Sequence, residues 1–159
     1  MTKPIPQGFH SITTQLTVQN GAQAIDFYKR AFGAEELMRM QSPDGKSIVH
    51  AELRIGDSNF FLCDEVPGNN CRAPQSLGGS TSSLYVYVND VDAAFARALA
   101  AGAQARMPVR EMFWGDRNCK IADPFGHEWS LATHVEDVRP EEVRRRAERF
   151  FAQSTKASQ

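Results

Sequence analysis

The amino-acid sequence contains an internal repeat, in which two segments follow one pattern about 69 residues apart. The stretch QLTVQNGAQAIDFYKRAFGA begins at Gln15, and the stretch YVYVNDVDAAFARALAAGA begins at Tyr85. Both predict a short strand, a polar turn and an amphipathic helix that ends at Gly-Ala. Gly33 corresponds to Gly102, and IGDSNFFL at Ile55 corresponds to PFGHEWSL in the second copy. The repeat indicates a duplicated structural unit, although chance similarity of two strand-helix units is the alternative.

Each copy predicts a β-α-β-β-β unit. In the first unit the predicted elements are a strand at 12–18, a helix at 22–32 and strands at 35–41, 48–55 and 59–64. In the second unit they are a strand at 83–88, a helix at 92–101 and strands near Ala103, Asn118 and Trp129. The fold class is therefore α+β, with two βαβββ modules that form curved mixed sheets around a groove and with a C-terminal helix.

We predict a single domain over residues 1–159. Its parts are a first module at 12–64, a linker at 65–82, a second module at 83–134 and a C-terminal helix at 138–152. The linker is rich in glycine, proline and serine, which favour turns. Pro140 suits the first turn of the last helix, and Phe150 and Phe151 would dock that helix on the body or on a partner chain.

Alternation along the strands divides each sheet into a helix-facing side and an open side. In the first strand Ile12, Leu16 and Val18 face the helix, and Gln15 lies on the open side. Antiparallel sheets commonly bury one face and leave the other accessible. Two such sheets, joined edge to edge, would enclose a groove between their open sides.

The strand near Asn118 fits this scheme poorly. We place Arg117, Cys119 and Ile121 on the open side, which leaves Lys120 directed towards the helix. The predicted lining of the groove is Gln15, His50, Glu52, Phe61, Tyr85, Trp114 and Arg117. Aromatic surface with a few polar groups suits a small organic ligand. The alternatives are a groove filled by side chains or used as a subunit interface, and an ion pair of Glu52 with Arg54 or Arg117.

Charge, hydropathy and cysteine spacing indicate which partners and which compartment to expect. The chain has 18 Lys and Arg against 19 Asp and Glu, a net charge of −1, whereas nucleic-acid binding needs a basic surface. No apolar run approaches the roughly 18 residues that span a bilayer, and the first residues lack the apolar core of a signal peptide. Cys63, Cys71 and Cys119 are sparse and lack CxxC spacing. We therefore expect a cytoplasmic protein that binds neither nucleic acid nor a membrane.

Four motifs resemble the vicinal oxygen chelate superfamily, which includes glyoxalase I, extradiol dioxygenases, and fosfomycin- and bleomycin-resistance proteins. They are IDFYKRAFGA from Ile25, HAELRIGD from His50, FWGDR from Phe113 and DPFGHEWSLATH from Asp123. The similarity covers residues 12–145 and is greatest to the PhnB-like branch. It implies the fold, but one fold hosts many chemistries.

The resemblance also implies four strand positions at which the family's metal enzymes hold a divalent ion. In this sequence they are occupied by Thr13, Phe61, Ser83 and Ser130. Hydroxyls and a phenyl ring are poor ligands for such an ion. We therefore predict no metal at these positions, no cofactor and no assigned catalytic residue. A displaced metal site at Gln15, His50 and Glu52 stays open as an alternative.

Three functional hypotheses follow. The first is a metal-independent module that binds a small antibiotic-like or aromatic molecule, as the bleomycin-resistance members do. The second is a metal-dependent lyase or isomerase of glyoxalase type that uses the displaced site, and the third is a structural dimer without a ligand. The resemblance implies a homodimer in which each groove borrows residues from the partner chain.

Overall fold

The computed structural model describes residues 2–68 and 70–156, which form eight strands and four helices. The elements are β1 (Gln15–Val18), α1 (Gly21–Phe32), β2 (Glu35–Gln41), β3 (Ile48–Ile55), β4 (Ser58–Asp64), α2 (Pro74–Leu77), β5 (Ser83–Tyr87), α3 (Val91–Ala101), β6 (Gln104–Glu111), β7 (Asp116–Ala122), β8 (Glu128–His134) and α4 (Pro140–Lys156). The duplicated β-α-β-β-β order and the additional C-terminal helix are confirmed. Within the described ranges, no helix combines the length and the apolar character needed to cross a bilayer.

Helices α1 and α3 begin and end in the same way at corresponding positions of the repeat. The Oδ1 atoms of Asn20 and Asp90 each accept a hydrogen bond from the backbone N–H three residues later. Such caps satisfy N–H groups that the first helical turn leaves free. Both helices end at a glycine in the left-handed conformation, with φ of 66° at Gly33 and 118° at Gly102. The structural unit is thus duplicated down to its helix caps.

The strands form two separate four-stranded sheets. Sheet 1 has the order β1-β4-β3-β2 and sheet 2 the order β5-β8-β7-β6. The first pair in each sheet is parallel and the others are antiparallel. Gln15 lies opposite Phe61 in sheet 1, and Tyr85 lies opposite Ser130 in sheet 2. These four residues therefore occupy equivalent places on the two open sides.

The two sheets share one hydrophobic core, to which both α1 and α3 contribute. The Tyr28 ring of α1 lies 6.1 Å from the ring of Phe60 in sheet 1 and 5.4 Å from that of Trp129 in sheet 2. Tyr28 Oη donates a hydrogen bond of 2.7 Å to Oδ2 of Asp123, which follows β7. The helix-facing sides of both sheets therefore face a common core, and the two open sides point away from it.

The predicted orientation of β7 is wrong. Cys119 and Ile121 are fully buried, and they lie opposite Leu131 and Trp129 of β8 on the helix-facing side. Lys120 is exposed on the open side. The apolar side chains decide the phase of the strand, because each contributes more free energy by burial than a polar side chain can.

Three further features concern β1, the linker and the C-terminal helix. β1 begins at Gln15, and Ile12 is 89% exposed and not directed at the helix. The predicted linker contains the short helix α2. The C-terminal helix docks on its own chain, since the ring of Phe150 lies 5.5 Å from that of Phe113 in the turn between β6 and β7.

Candidate ligand-binding site

The open side of sheet 1 places four of the predicted residues together. Phe61 on β4 lies opposite Gln15 on β1 and Glu52 on β3. Its ring is 4.9 Å from the ring of His50, and His50 Nε2 is 3.5 Å from Glu52 Oε1. Gln15 Nε2 lies 3.7 Å from Cys63 Sγ. A half-buried aromatic ring thus lies among these polar side chains and 5.4 Å from the ring of Phe9, an arrangement that suits an organic ligand with polar substituents.

The open side of sheet 2 is organised around a buried carboxylate. Asp116 is 3% exposed. Its Oδ2 accepts hydrogen bonds from Tyr85 Oη at 2.9 Å, Tyr87 Oη at 3.1 Å and Trp114 Nε1 at 3.1 Å. Its Oδ1 accepts a hydrogen bond of 2.8 Å from His134 Nδ1. Four donors compensate for the lost hydration of the charge and fix the orientation of the rings.

The hydrogen bonds around Asp116 shift the pKa values of the whole cluster. Burial acts to raise the pKa of Asp116, but its hydrogen-bond donors outweigh burial, so the pKa lies below its usual value. The hydrogen bond to Asp116, followed by one to Asp137, raises the pKa of His134. Burial and the hydrogen bond to Asp116 raise the pKa values of Tyr85 and Tyr87. At neutral pH the carboxylate is ionised and the phenols remain protonated donors.

Small side chains on β8 lie between larger ones on the two neighbouring strands of sheet 2. Ser130 and Ala132 on β8 are in register with Tyr85 and Tyr87 on β5 and with Lys120 and Asn118 on β7. The two tyrosine rings are 5.3 Å apart, and the residues are 43% and 63% exposed. Lys120 is exposed, whereas Asn118 is buried. The open side of sheet 2 therefore presents an aromatic surface on β5 and a lysine on β7.

Asn118 carries a polar atom that the described residues leave unsatisfied. Its Nδ2 donates a hydrogen bond of 3.2 Å to Tyr85 Oη. Because Tyr85 gives its own proton to Asp116, the phenol oxygen accepts from Asn118, and Oδ1 of Asn118 is buried without a donor from the described part of the chain. Leaving such an atom unpaired costs about 1–3 kcal/mol. It marks a place where a water molecule or a ligand would complete the site.

Arg117 does not lie on the open side, and this prediction is wrong. Its Nε and Nη2 donate hydrogen bonds of 2.8 Å to the two carboxylate oxygens of Asp92 in the first turn of α3. The reversed phase of β7 places it there. The alternative ion pairs of Glu52 are also wrong, since Arg54 pairs with Glu35 at 2.6 Å and Arg117 pairs with Asp92.

The remaining six predicted residues form two groups on different sheets. Gln15, His50, Glu52 and Phe61 lie on sheet 1, and Tyr85 and Trp114 meet at Asp116 on sheet 2. A single chain does not bring the groups together, because the open sides point away from the shared core. A cavity of about 830 Å³ between residues 8–14, the β3–β4 turn and β5 includes Tyr85 but none of the other five.

Much of the polar network on sheet 2 was not predicted from the sequence. Tyr87, Asp116, Asn118 and His134 are the residues of this network without a predicted role in the site. The apolar residues Cys119 and Ile121 alternate along β7, and this signal could have revealed most of the network. Their burial puts positions 116, 118 and 120 on the open side. Nothing comparable in the sequence indicates that His134 reaches Asp116, which depends on the pairing of β7 with β8.

The residues present do not fit a divalent ion at the four positions that the resemblance implies. Thr13, Ser83 and Ser130 offer neutral hydroxyls, and Phe61 offers no donor atom, whereas such ions prefer carboxylate, imidazole or amide groups. Among residues 2–68 and 70–156, no three side chains of His, Cys, Asp or Glu are grouped so as to hold a metal ion. The displaced alternative has two neighbouring groups, His50 and Glu52.

Comparisons with known proteins agree with this architecture. A family model described as the Glyoxalase/Bleomycin resistance protein/Dioxygenase superfamily matches residues 8–131. An uncharacterized protein of Mycobacterium tuberculosis is 45% identical over 136 residues, which cover 84% of this chain and 79% of that protein. The crystal structure of TioX from Micromonospora sp. ML1 is similar, with 29% identity, a TM-score of 0.61, and coverage of 79% of this chain and 99% of that one. The PhnB protein of Bacillus cereus shares the fold at 23% identity and a TM-score of 0.60, with coverage of 78% and 99%.

Proposed function

Because the chain belongs to the glyoxalase/bleomycin resistance protein/dioxygenase superfamily, we propose that it binds a small, partly aromatic organic molecule without a metal ion. The groove would form between the open side of sheet 1 in one chain and the open side of sheet 2 in a second copy. The motifs FWGDR and DPFGHEWSLATH support a place in the PhnB-like branch. The sparse cysteines, which lack CxxC spacing, support a cytoplasmic location.

The observation that carries the proposal is the character of the two open sides. Each presents fixed aromatic surface beside a few polar groups, with Phe61 central on sheet 1 and the pair Tyr85 and Tyr87 on sheet 2. Aromatic rings held in place supply contact area at a low cost in conformational entropy. The absence of suitable ligand types at the four metal positions supports binding that does not depend on a metal ion.

The arrangement of the modules supports a homodimer. Exposed apolar side chains on the two open sides include Met38 and Met40 on sheet 1 and Tyr87 on sheet 2. Since these surfaces point away from the core of their own chain, a second copy related by a twofold axis would cover both at once and create two equal grooves. Sedimentation at micromolar concentration should therefore give the mass of a dimer, and a monomer would contradict this part of the proposal.

A thermal-shift screen with aromatic antibiotics, quinones and aldehyde adducts, carried out in the presence and absence of a chelator, tests the function. A ligand at one hundred times its dissociation constant should stabilise the protein by about 2.7 kcal/mol. The chelator should leave this gain unchanged. A shift that disappears with chelator would contradict metal-independent binding, and no shift with any of these compounds would favour the structural dimer.

Elemental analysis of protein purified without chelator separates the proposal from the lyase or isomerase alternative. We expect no stoichiometric transition metal. Near-stoichiometric zinc, nickel, manganese or iron that is lost on His50→Ala would favour the displaced site, because His50 and Glu52 already lie 3.5 Å apart. Glu128→Gln is a suitable control, since that carboxylate lies on the other sheet.

A further inference from the structure

Sheet 2 also has a small hydroxyl-rich cavity, which includes Ser130, the residue opposite Tyr85. Its volume is about 240 Å³, and it is lined by Ser80, Thr81, Ser82, Ser83, Lys120, Glu128, Trp129 and Ser130. Ser130 is 4% exposed. Among the described residues its hydroxyl has no hydrogen-bond partner, and the oxygen is accessible from the cavity, so it can bond to a molecule that enters there.

A cation lies beside this hydroxyl. Lys120 on β7 is directly opposite Ser130 on β8, which places their side chains next to each other on the open side. Lys120 is exposed, and none of the described carboxylates pairs with it. A lysine ammonium supplies up to three hydrogen-bond donors to an anion.

The carboxylate in the cavity does not cancel this charge. Glu128 also lines the cavity, and its Oε1 is 3.5 Å from Nε of Arg106. Counting Lys120, Arg106 and Glu128 leaves one net positive charge at this place. Hydroxyls and a lysine next to each other form the donor set that suits an oxyanion.

We infer that Lys120 and Ser130 form a subsite for a carboxylate, sulfonate or phosphate group of the bound molecule. This rests on the proposed function and defines its ligand class as planar aromatic oxyanions. Tyr85 lies opposite Ser130 on the other side, and its hydroxyl is held by Asp116. A ligand whose oxyanion lies at Lys120 and Ser130 therefore places its ring against Tyr85.

Two fluorescent probes that differ in one group test the inference. Anilinonaphthalene sulfonate carries the oxyanion, and N-phenylnaphthylamine has the same aromatic framework without it. We expect the sulfonate to bind at least about tenfold more tightly, since a hydrogen bond to a charged group is worth about 1.5–3 kcal/mol. Lys120→Met should remove most of this preference, Ser130→Ala part of it, and Lys120→Arg should restore it.

The matched control is Lys46→Met, which removes an exposed lysine in the turn between β2 and β3 of the other sheet and should leave both affinities unchanged. Each variant is used only if its thermal midpoint equals that of the wild type. If Lys120→Met binds the sulfonate as tightly as the wild type, the oxyanion subsite is excluded, while retained binding of the uncharged amine leaves the groove itself supported. If neither probe binds the folded wild-type protein, the proposed function itself fails.

Discussion

At the scale of single residues, Asp116 orients several side chains on the open side of sheet 2. Its carboxylate holds the hydroxyl ends of Tyr85 and Tyr87, so both rings have a defined orientation before a ligand arrives. It also holds His134 at the end of β8. Such preorganisation lowers the entropic cost of binding. One buried charge therefore connects three strands of the sheet.

We predict that Asp116→Asn lowers the free energy of unfolding by about 2–3 kcal/mol. Neutral hydrogen bonds replace the charge-assisted ones, and the new amide N–H₂ group faces side chains that are themselves donors, so some hydrogen bonds are lost. Urea unfolding near pH 6 measures this loss. Tyr87→Phe is the matched control, since it removes one of the four donors and leaves the charge in place; we expect a loss of about 1 kcal/mol. Equal losses in the two variants would contradict the central role of the carboxylate.

The difference in the free energy of unfolding between the wild type and Asp116→Asn should depend on pH in a defined way. The pKa of His134 is raised by folding, so its stabilisation is complete below its unfolded value of about 6.5 and is lost as the pH rises through the folded value. The pKa of Asp116 is lowered, so its stabilisation is present above about pH 3.9 and is lost as the pH falls through the folded value. The difference between wild type and Asp116→Asn should therefore be largest between about pH 4 and pH 6.5.

Side-chain alternation predicted part of this site from the sequence and not the rest. It placed Gln15, His50 and Phe61 on one side of sheet 1, and the strand pairing puts them there. In β7 polar residues occupy both sets of positions, so alternation alone does not fix the phase of this strand. The burial of Cys119 was the better guide.

At the scale of elements, the turn between β6 and β7 anchors the chain that leaves β8. Gly115 has φ of 100°, and its carbonyl oxygen accepts hydrogen bonds from the backbone N–H groups of Val135 and Glu136 at 2.9 and 3.0 Å. A Cβ atom at Gly115 would overlap the carbonyl oxygen of Glu136. The FWGDR motif therefore needs glycine for close backbone contact as well as for its conformation.

Gly115→Ala should lower the free energy of unfolding by about 3 kcal/mol or more, since backbone overlap adds to the strain of a positive φ. Gly45→Ala is the control: Gly45 also has a positive φ, of 71°, but no atom lies within 4 Å of the place that its Cβ would occupy. It should cost only about 1–2 kcal/mol. Chemical denaturation of both variants gives the comparison, and a similar cost at the two sites would show that the contact with Glu136 is unimportant.

The repeat predicted the elements well because their signals are local. The predicted helix at 22–32 differs from α1 by one residue, since apolar spacing and a terminal glycine mark both ends. β1 was predicted three residues too long. Its partner β4 pairs with it only from Gln15 onwards. The alternation of residues 12–14 does not indicate where this pairing begins.

At the scale of the whole molecule, the helices join the two modules. Tyr28 of the first module donates a hydrogen bond to Asp123 of the second within an aromatic cluster, and both sheets turn their open sides outwards. Alternation predicted an apolar side for each sheet. It could not predict whether the open sides of the two sheets of one chain face each other or point outwards. Both arrangements bury the same apolar residues against a helix.

Binding in mixed dimers tests most directly whether the groove is shared between two chains. Phe61→Ala removes the central ring of sheet 1, and Tyr85→Ala removes a ring of sheet 2; each variant alone should bind N-phenylnaphthylamine about tenfold more weakly. When the two variants are mixed and allowed to exchange subunits, each hybrid dimer has one groove without a substitution. We predict that wild-type affinity returns in roughly one quarter of all grooves. Mixtures that bind no better than the separate variants would show that each groove lies within one chain.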